Sequence, residues 1–104
     1  MSEKQKAAFL RRLRRAITDS EHRYVIFWTP SCAYSVNAIR LLREAAPGHF
    51  SSYSQKASIK QDLLGYLKMI GDQIGFDGSH TTWPIVFHDG KYLGGYTELR
   101  ATMR

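Results

Sequence analysis

Cys32 is the only cysteine among 104 residues, and it follows the strand-forming run Tyr24-Val25-Ile26-Phe27-Trp28 after the turn Thr29-Pro30-Ser31. A helix is expected to begin at Cys32 or Ala33, with Val36, Ile39 and Leu42 at helical spacing and Pro47-Gly48 as its stop. A thiol at a helix start meets unpaired backbone N–H groups and the positive end of the helix dipole, and both favour an anion. The thiolate is the reactive form of the side chain, so the position suits nucleophilic chemistry at sulfur. A buried, inert cysteine acting as a small apolar residue would satisfy the same position.

Other chemistries find little support. His22, His49, His80 and His88 show no i,i+4 pair and no second cysteine joins them, so a metal site of protein ligands is not expected. There is no phosphate-cradling glycine loop, and the nine acidic residues form no acid–base couple. A lone cysteine excludes an internal disulfide framework and points to a reducing compartment, which we take to be the cytoplasm.

The elements that must position Cys32 follow from the periodicity. The run from Tyr24 to Trp28 lacks polar alternation, as in a strand covered on both faces at the centre of a sheet. His49 to Tyr53 is a weaker strand. Ala57 to Ile74 repeats apolar residues at helical spacing despite Gly65 and Gly71. Gly75 to His80 reads as loop. Ile85–His88 and Lys91–Leu93 flank Asp89-Gly90, a hairpin signal because both central turn positions need positive φ. Thr97 to Met103 leaves about two turns of terminal helix. The order α-β-α-β-α-β-β-α defines one α/β domain over residues 1–104, a small mixed four-stranded sheet with helices on both faces.

Six basic side chains lie within the first fifteen residues against Glu3 alone, which accounts for +5 of the net +6. We read this as a solvated helix face, with docking to an acidic partner as the alternative; nucleic-acid and membrane partners are not expected. An Arg-rich amphipathic start is shared with mitochondrial presequences. Phe9, Leu10, Leu13 and Ile17 at helical spacing favour a packed first helix instead.

Three segments carry a resemblance. Phe27-Trp28-Thr29-Pro30-Ser31-Cys32-Ala33-Tyr34-Ser35 resembles the active-site segment of the glutaredoxins, in the thioredoxin superfamily. Thr82-Trp83-Pro84 resembles that family's Thr-Val-Pro, and Leu93-Gly94-Gly95-Tyr96-Thr97-Glu98-Leu99 its glutathione-clasping segment. The resemblance implies a thioredoxin-like fold and a monomeric, glutathione-dependent oxidoreductase that reduces protein–glutathione mixed disulfides. It implies Cys32 as nucleophile and Tyr34, Thr82, Trp83, Pro84, Gly95, Tyr96 and Thr97 as the glutathione site. Trp83 would offer its backbone to the tripeptide as an added strand, beside a cis Pro84. Gly95, Tyr96 and Thr97 would receive a glutathione carboxylate at a helix start. Packing alone would also explain the aromatics, and an unusual φ the glycines.

The departures from the family pattern shape the expectation. Ser35 stands where the second cysteine would be, so the chemistry is monothiol with glutathione as the resolving thiol. Ala33 replaces a proline, and members with a small residue there can hold a glutathione-ligated [2Fe-2S] cluster between two subunits, with Cys32 a ligand. Yet the motif is Cys-Ala-Tyr-Ser, not the Cys-Gly-Phe-Ser of cluster specialists. Thr29 replaces a basic residue that contacts a glutathione carboxylate; Lys91, Arg23 and His80 are the candidate substitutes. That loss leaves a catalytically inactive binding module as a third alternative.

Overall fold

The computed structural model describes residues 2–103. Helix α1 spans Glu3–Thr18, β1 Tyr24–Trp28, α2 Ala33–Ala45 and β2 Phe50–Ser54. A 3₁₀ turn, Ala57–Ile59, leads into α3 (Lys60–Met69) and α4 (Gly71–Ile74); β3 (Ile85–His88), β4 (Lys91–Gly94) and α5 (Tyr96–Thr102) follow. The sheet order is β2-β1-β3-β4, with β1 parallel to β2 and antiparallel to β3, and β3 antiparallel to β4.

Strand β1 therefore lies inside the sheet, as its apolar run requires, and Tyr24 to Phe27 are all buried. Alternate side chains along a strand point to opposite faces, so β1 and β3 build two cores. Val25, Phe27, Ile85 and Phe87 pack with Leu13 and Ile17 of α1 and with Leu63, Leu64 and Leu67 of α3. Tyr24, Ile26 and Val86 pack with Ala38, Ile39 and Leu42 of α2 and with Leu99 of α5. Burying each large aliphatic side chain of this kind contributes about 1.5–3 kcal/mol. Among the described residues no helix is long and apolar enough to cross a membrane.

Local signals explain the ends of the elements. Ser2 Oγ accepts the Gln5 N–H at 3.2 Å and the Ser2 N–H donates to Gln5 Oε1 at 2.9 Å, a reciprocal cap that starts α1. After α2, Gly48 takes φ 77°. Asp89 and Gly90 have φ of 51° and 81°, the paired positive values expected between β3 and β4.

The continuous helix expected over Ala57–Ile74 is instead three pieces. It breaks at Ile70 (φ −105°, ψ 15°), where the Phe76 N–H donates to Gly71 O at 2.9 Å. A Cβ on Gly71 would collide with the Phe76 carbonyl, so glycine admits this fold-back. Two boundaries also shift. His49 precedes β2, its carbonyl accepting the Tyr24 N–H at 3.1 Å, and α5 starts at Tyr96 instead of Thr97.

Candidate active site

Cys32 is the N-cap of α2, in extended conformation (φ −111°, ψ 125°). Its N–H donates to Thr29 O at 3.2 Å and its carbonyl accepts the Val36 N–H at 3.1 Å, so the backbone is tied to both turn and helix. The thiol makes no capping bond. It points across the end of the sheet to Trp83, where Sγ lies 3.9 Å from the carbonyl oxygen, a weak S–H donor contact. The Trp83–Pro84 peptide is cis. Sheet pairing of β1 with β3 starts only at Ile85, which leaves the Trp83 backbone off that ladder.

Beside this contact lies a groove of about 390 Å³. Its walls are Ser79 to Trp83 on one side and Gly95 to Glu98 on the other, with Tyr34 at the rim. Six of the residues expected to bind glutathione therefore line one concavity: Tyr34, Thr82, Trp83, Gly95, Tyr96 and Thr97. Pro84, the seventh, is fully buried and does not form part of the groove's walls. Tyr34 is 63% exposed, and its ring centroid stands 6.3 Å from that of Tyr96. Trp83 belongs to the core cluster that α3 helps to build, and its carbonyl faces the Cys32 thiol.

Four observations change the expected picture. Ser35 is fully buried, and its Oγ accepts the Thr29 N–H at 3.2 Å. It therefore braces the turn that carries Cys32. Thr29 is only 2% exposed, with Oγ1 3.3 Å from Ser31 Oγ, so a basic side chain at this position would have to leave the interior to reach a ligand. Of the three candidate substitutes, Lys91 donates to Gln73 O at 3.1 Å and Arg23 lies 3.9 Å from Asp89 at the other end of β1. Only His80 lines the groove, and among the described residues no lysine or arginine does.

The fourth concerns the start of α5. The Gly95 N–H expected to receive a glutathione carboxylate already donates to Glu98 Oε1 at 2.9 Å. The amides of Tyr96 and Thr97 have no intrahelical acceptor by position, but Glu98 sets a negative charge beside them. Glycines permit this fold. Gly94 has φ 147°, and a Cβ there would strike the Glu98 carboxylate; a Cβ on Gly95 would stand 3.2 Å from His80 Cε1. Sequence reasoning missed the capping role of Glu98 and a 2.7 Å hydrogen bond between Tyr92 Oη and His80 Nδ1. Glu98 was discoverable, three residues beyond Gly95 at capping-box spacing.

A central β1 delivering a half-buried cysteine to a helix start, opposite a cis-proline turn, defines a thioredoxin-like protein with a single-cysteine site. The chain is 34% identical over 77 residues to a probable glutaredoxin of Acanthamoeba polyphaga mimivirus, covering 73% of each. It belongs to the glutaredoxin family. No protein-family profile matches it.

Solved structures agree on the fold. Oxidized glutaredoxin 2 from Chlamydomonas reinhardtii superposes with a TM-score of 0.67 at 22% identity, over 94% of this chain and 84% of that one. The buckwheat glutaredoxin–glutathione complex gives 0.67 at 18% identity, over 98% and 84%. The holo form of glutaredoxin C1 from Populus tremula x tremuloides gives 0.61 at 20%, over 96% and 82%.

Proposed function

We propose that this chain is a monothiol oxidoreductase that removes glutathione from protein–glutathione mixed disulfides. The observation that carries the reading is that Cys32 Sγ lies 3.9 Å from the carbonyl oxygen of Trp83, a residue that lines a peptide-sized groove. The Cys32 thiolate attacks the glutathione sulfur of the mixed disulfide. The Cys32–glutathione disulfide forms, and the protein sulfur leaves as a thiolate that takes up a proton. A second glutathione, as thiolate, then attacks the glutathione sulfur on Cys32, which yields oxidised glutathione and returns the Cys32 thiolate. The oxidant is the substrate disulfide and the reductant is free glutathione, so the cycle closes without a second protein thiol. Ser35 supplies none.

Recognition follows from main-chain chemistry. An extended tripeptide pairs with the N–H and C=O of Trp83 as an added strand, and Tyr34 and Tyr96 flank it. Thr82 and Thr97 contribute groove walls, with Pro84 buried. Tyr96 and Thr97 offer amides to the γ-glutamyl carboxylate, and Glu98 beside them suits the adjacent ammonium. One domain, acting as a monomer in the reducing cytoplasm, completes this reading, with glutathione and glutathionylated proteins as its partners.

For a [2Fe-2S] cluster the chain offers one thiolate, Cys32. Among the described residues no three His, Cys, Asp or Glu side chains converge to hold a metal. A bridged cluster would thus need a second copy and two glutathione thiolates. No feature of the groove favours it over the oxidoreductase.

The deciding experiment is turnover of a glutathionylated peptide with excess glutathione, for wild type and Cys32→Ser. Turnover in the wild type and none in the variant is expected. No turnover in either removes the enzyme. Visible absorbance on a dimer after anaerobic reconstitution with iron, sulfide and glutathione would then identify a cluster carrier, and a colourless glutathione-binding protein would be an inactive module.

A further inference from the structure

One imidazole joins the backbone on either side of Trp83 to the outer strand of the sheet. His80 Nε2 lies 2.6 Å from Thr82 O and 3.0 Å from Pro84 O, and Nδ1 lies 2.7 Å from Tyr92 Oη. Carbonyl oxygens only accept, so Nε2 carries the hydrogen and shares it between them. In the neutral ring Nδ1 is then bare, and Tyr92 donates to it. Tyr92 lies on β4 opposite Phe87, and its ring meets the imidazole edge to face with centroids 5.6 Å apart. Gly95 closes the other side, with its backbone near enough that an added Cβ would press on the imidazole. The ring is thus held from three directions, with both nitrogens engaged.

We propose that His80 is a positioning residue for peptide recognition. It fixes the Thr82–Pro84 backbone in the shape that presents the Trp83 N–H and C=O, and Tyr92 selects the tautomer that can do so. The proposal deepens the glutathione reading and rests on it. His80 acts on ligands that have a peptide backbone to pair with Trp83. It leaves the intrinsic reactivity of Cys32 toward a disulfide without such a backbone unchanged. The device thereby discriminates glutathionyl disulfides from other small disulfides.

The test compares wild type, His80→Ala, His80→Gln and Tyr92→Phe. A glutamine amide nitrogen can donate to both carbonyls, so it restores the anchor without the ring. Five quantities are measured: KM and kcat for a glutathionylated peptide, Kd for unreactive S-methylglutathione, the rate of Cys32 with 4,4′-dithiodipyridine, and amide hydrogen exchange at Thr82, Trp83 and Ile85. For His80→Ala, KM and Kd are expected to rise about tenfold, on the order of one lost hydrogen bond. Its kcat and dithiodipyridine rate stay within about twofold, and exchange at Thr82, Trp83 and Ile85 accelerates. His80→Gln recovers most of the binding, and Tyr92→Phe is intermediate. Unchanged Kd and exchange in His80→Ala would overturn the proposal, as would a glutamine variant no better than alanine. A wild type that binds S-methylglutathione without turnover sinks only the oxidoreductase, and weaker binding by His80→Ala then still supports the positioning role. A wild type that does not bind S-methylglutathione overturns both.

Discussion

Ser35 Oγ accepts the Thr29 N–H at 3.2 Å, with Ser35 fully buried and Thr29 2% exposed. The serine three residues after Cys32 is therefore a structural acceptor for the turn that leads to the cysteine. Ser35→Ala leaves a buried donor without a partner, which costs about 1–3 kcal/mol. Ser35→Cys is expected to lose nearly as much, because sulfur is a weak acceptor and the site is closed. Urea denaturation under reducing conditions measures both. A cysteine variant as stable as wild type would show that this bond contributes nothing.

Thr29→Lys restores the family's usual charge on paper. The position is nearly closed to solvent, however, and its hydroxyl already meets Ser31. The longer side chain must overpack the turn or swing out, at a cost of about 1–3 kcal/mol. Thermal melting is expected to show that loss, and KM for a glutathionylated peptide is expected not to improve. A lysine variant with unaltered melting and tighter substrate binding would overturn this account.

What the sequence disclosed, and what it hid, divides by the range of the interaction. The buried centre of the sheet was legible in Tyr24–Phe27 because a run with no polar alternation has only one comfortable place. The β3–β4 turn was legible because Asp89-Gly90 supplies both positive φ values locally. Three motifs distant in the chain were expected to meet, and Tyr34, Thr82–Trp83 and Gly95–Thr97 do line one groove. The break at Ile70 was hidden because the fold-back of Phe76 onto Gly71 is a backbone contact that no helical periodicity registers. The burial of Thr29 was hidden because its amide turns inward to a serine six residues on, a contact that the turn residues alone do not announce. The partnership of His80 with Tyr92 spans twelve residues and a strand pairing, so no short pattern could announce it.

Gly94 and Gly95 are adjacent but answer different constraints. Gly94 has φ 147° and lies under the Glu98 carboxylate, so Gly94→Ala adds both backbone strain and a clash. A destabilisation of about 1–3 kcal/mol follows. Gly95 has φ −106°, which alanine adopts freely, and its added methyl would meet the His80 ring at 3.2 Å and Pro84 O at 3.4 Å. Gly95→Ala should therefore keep most of its stability and lose ligand affinity as the imidazole is displaced. Chemical denaturation paired with S-methylglutathione titration separates the two. Equal effects of both variants on both measurements would contradict the distinction.

Tyr92 makes the fold sensitive to alkali. Burial, then the negative charges of Glu98 and Asp77, raises its phenol above the ordinary value of 10.0. The folded state thus holds this proton more tightly than the unfolded chain does. The resulting stability is fully present below the unfolded phenol's pKa and is lost as pH rises through the higher folded value. Loss of the proton also ends the donation from Tyr92 to His80 Nδ1. The stability advantage of wild type over Tyr92→Phe is therefore expected to be constant near neutrality and to shrink above roughly pH 10. Urea midpoints of both proteins from about pH 7 to about pH 11 measure that difference across the phenol's titration range. An advantage that grows with pH would mean that the phenolate is the form the folded protein prefers, contrary to the burial of this side chain.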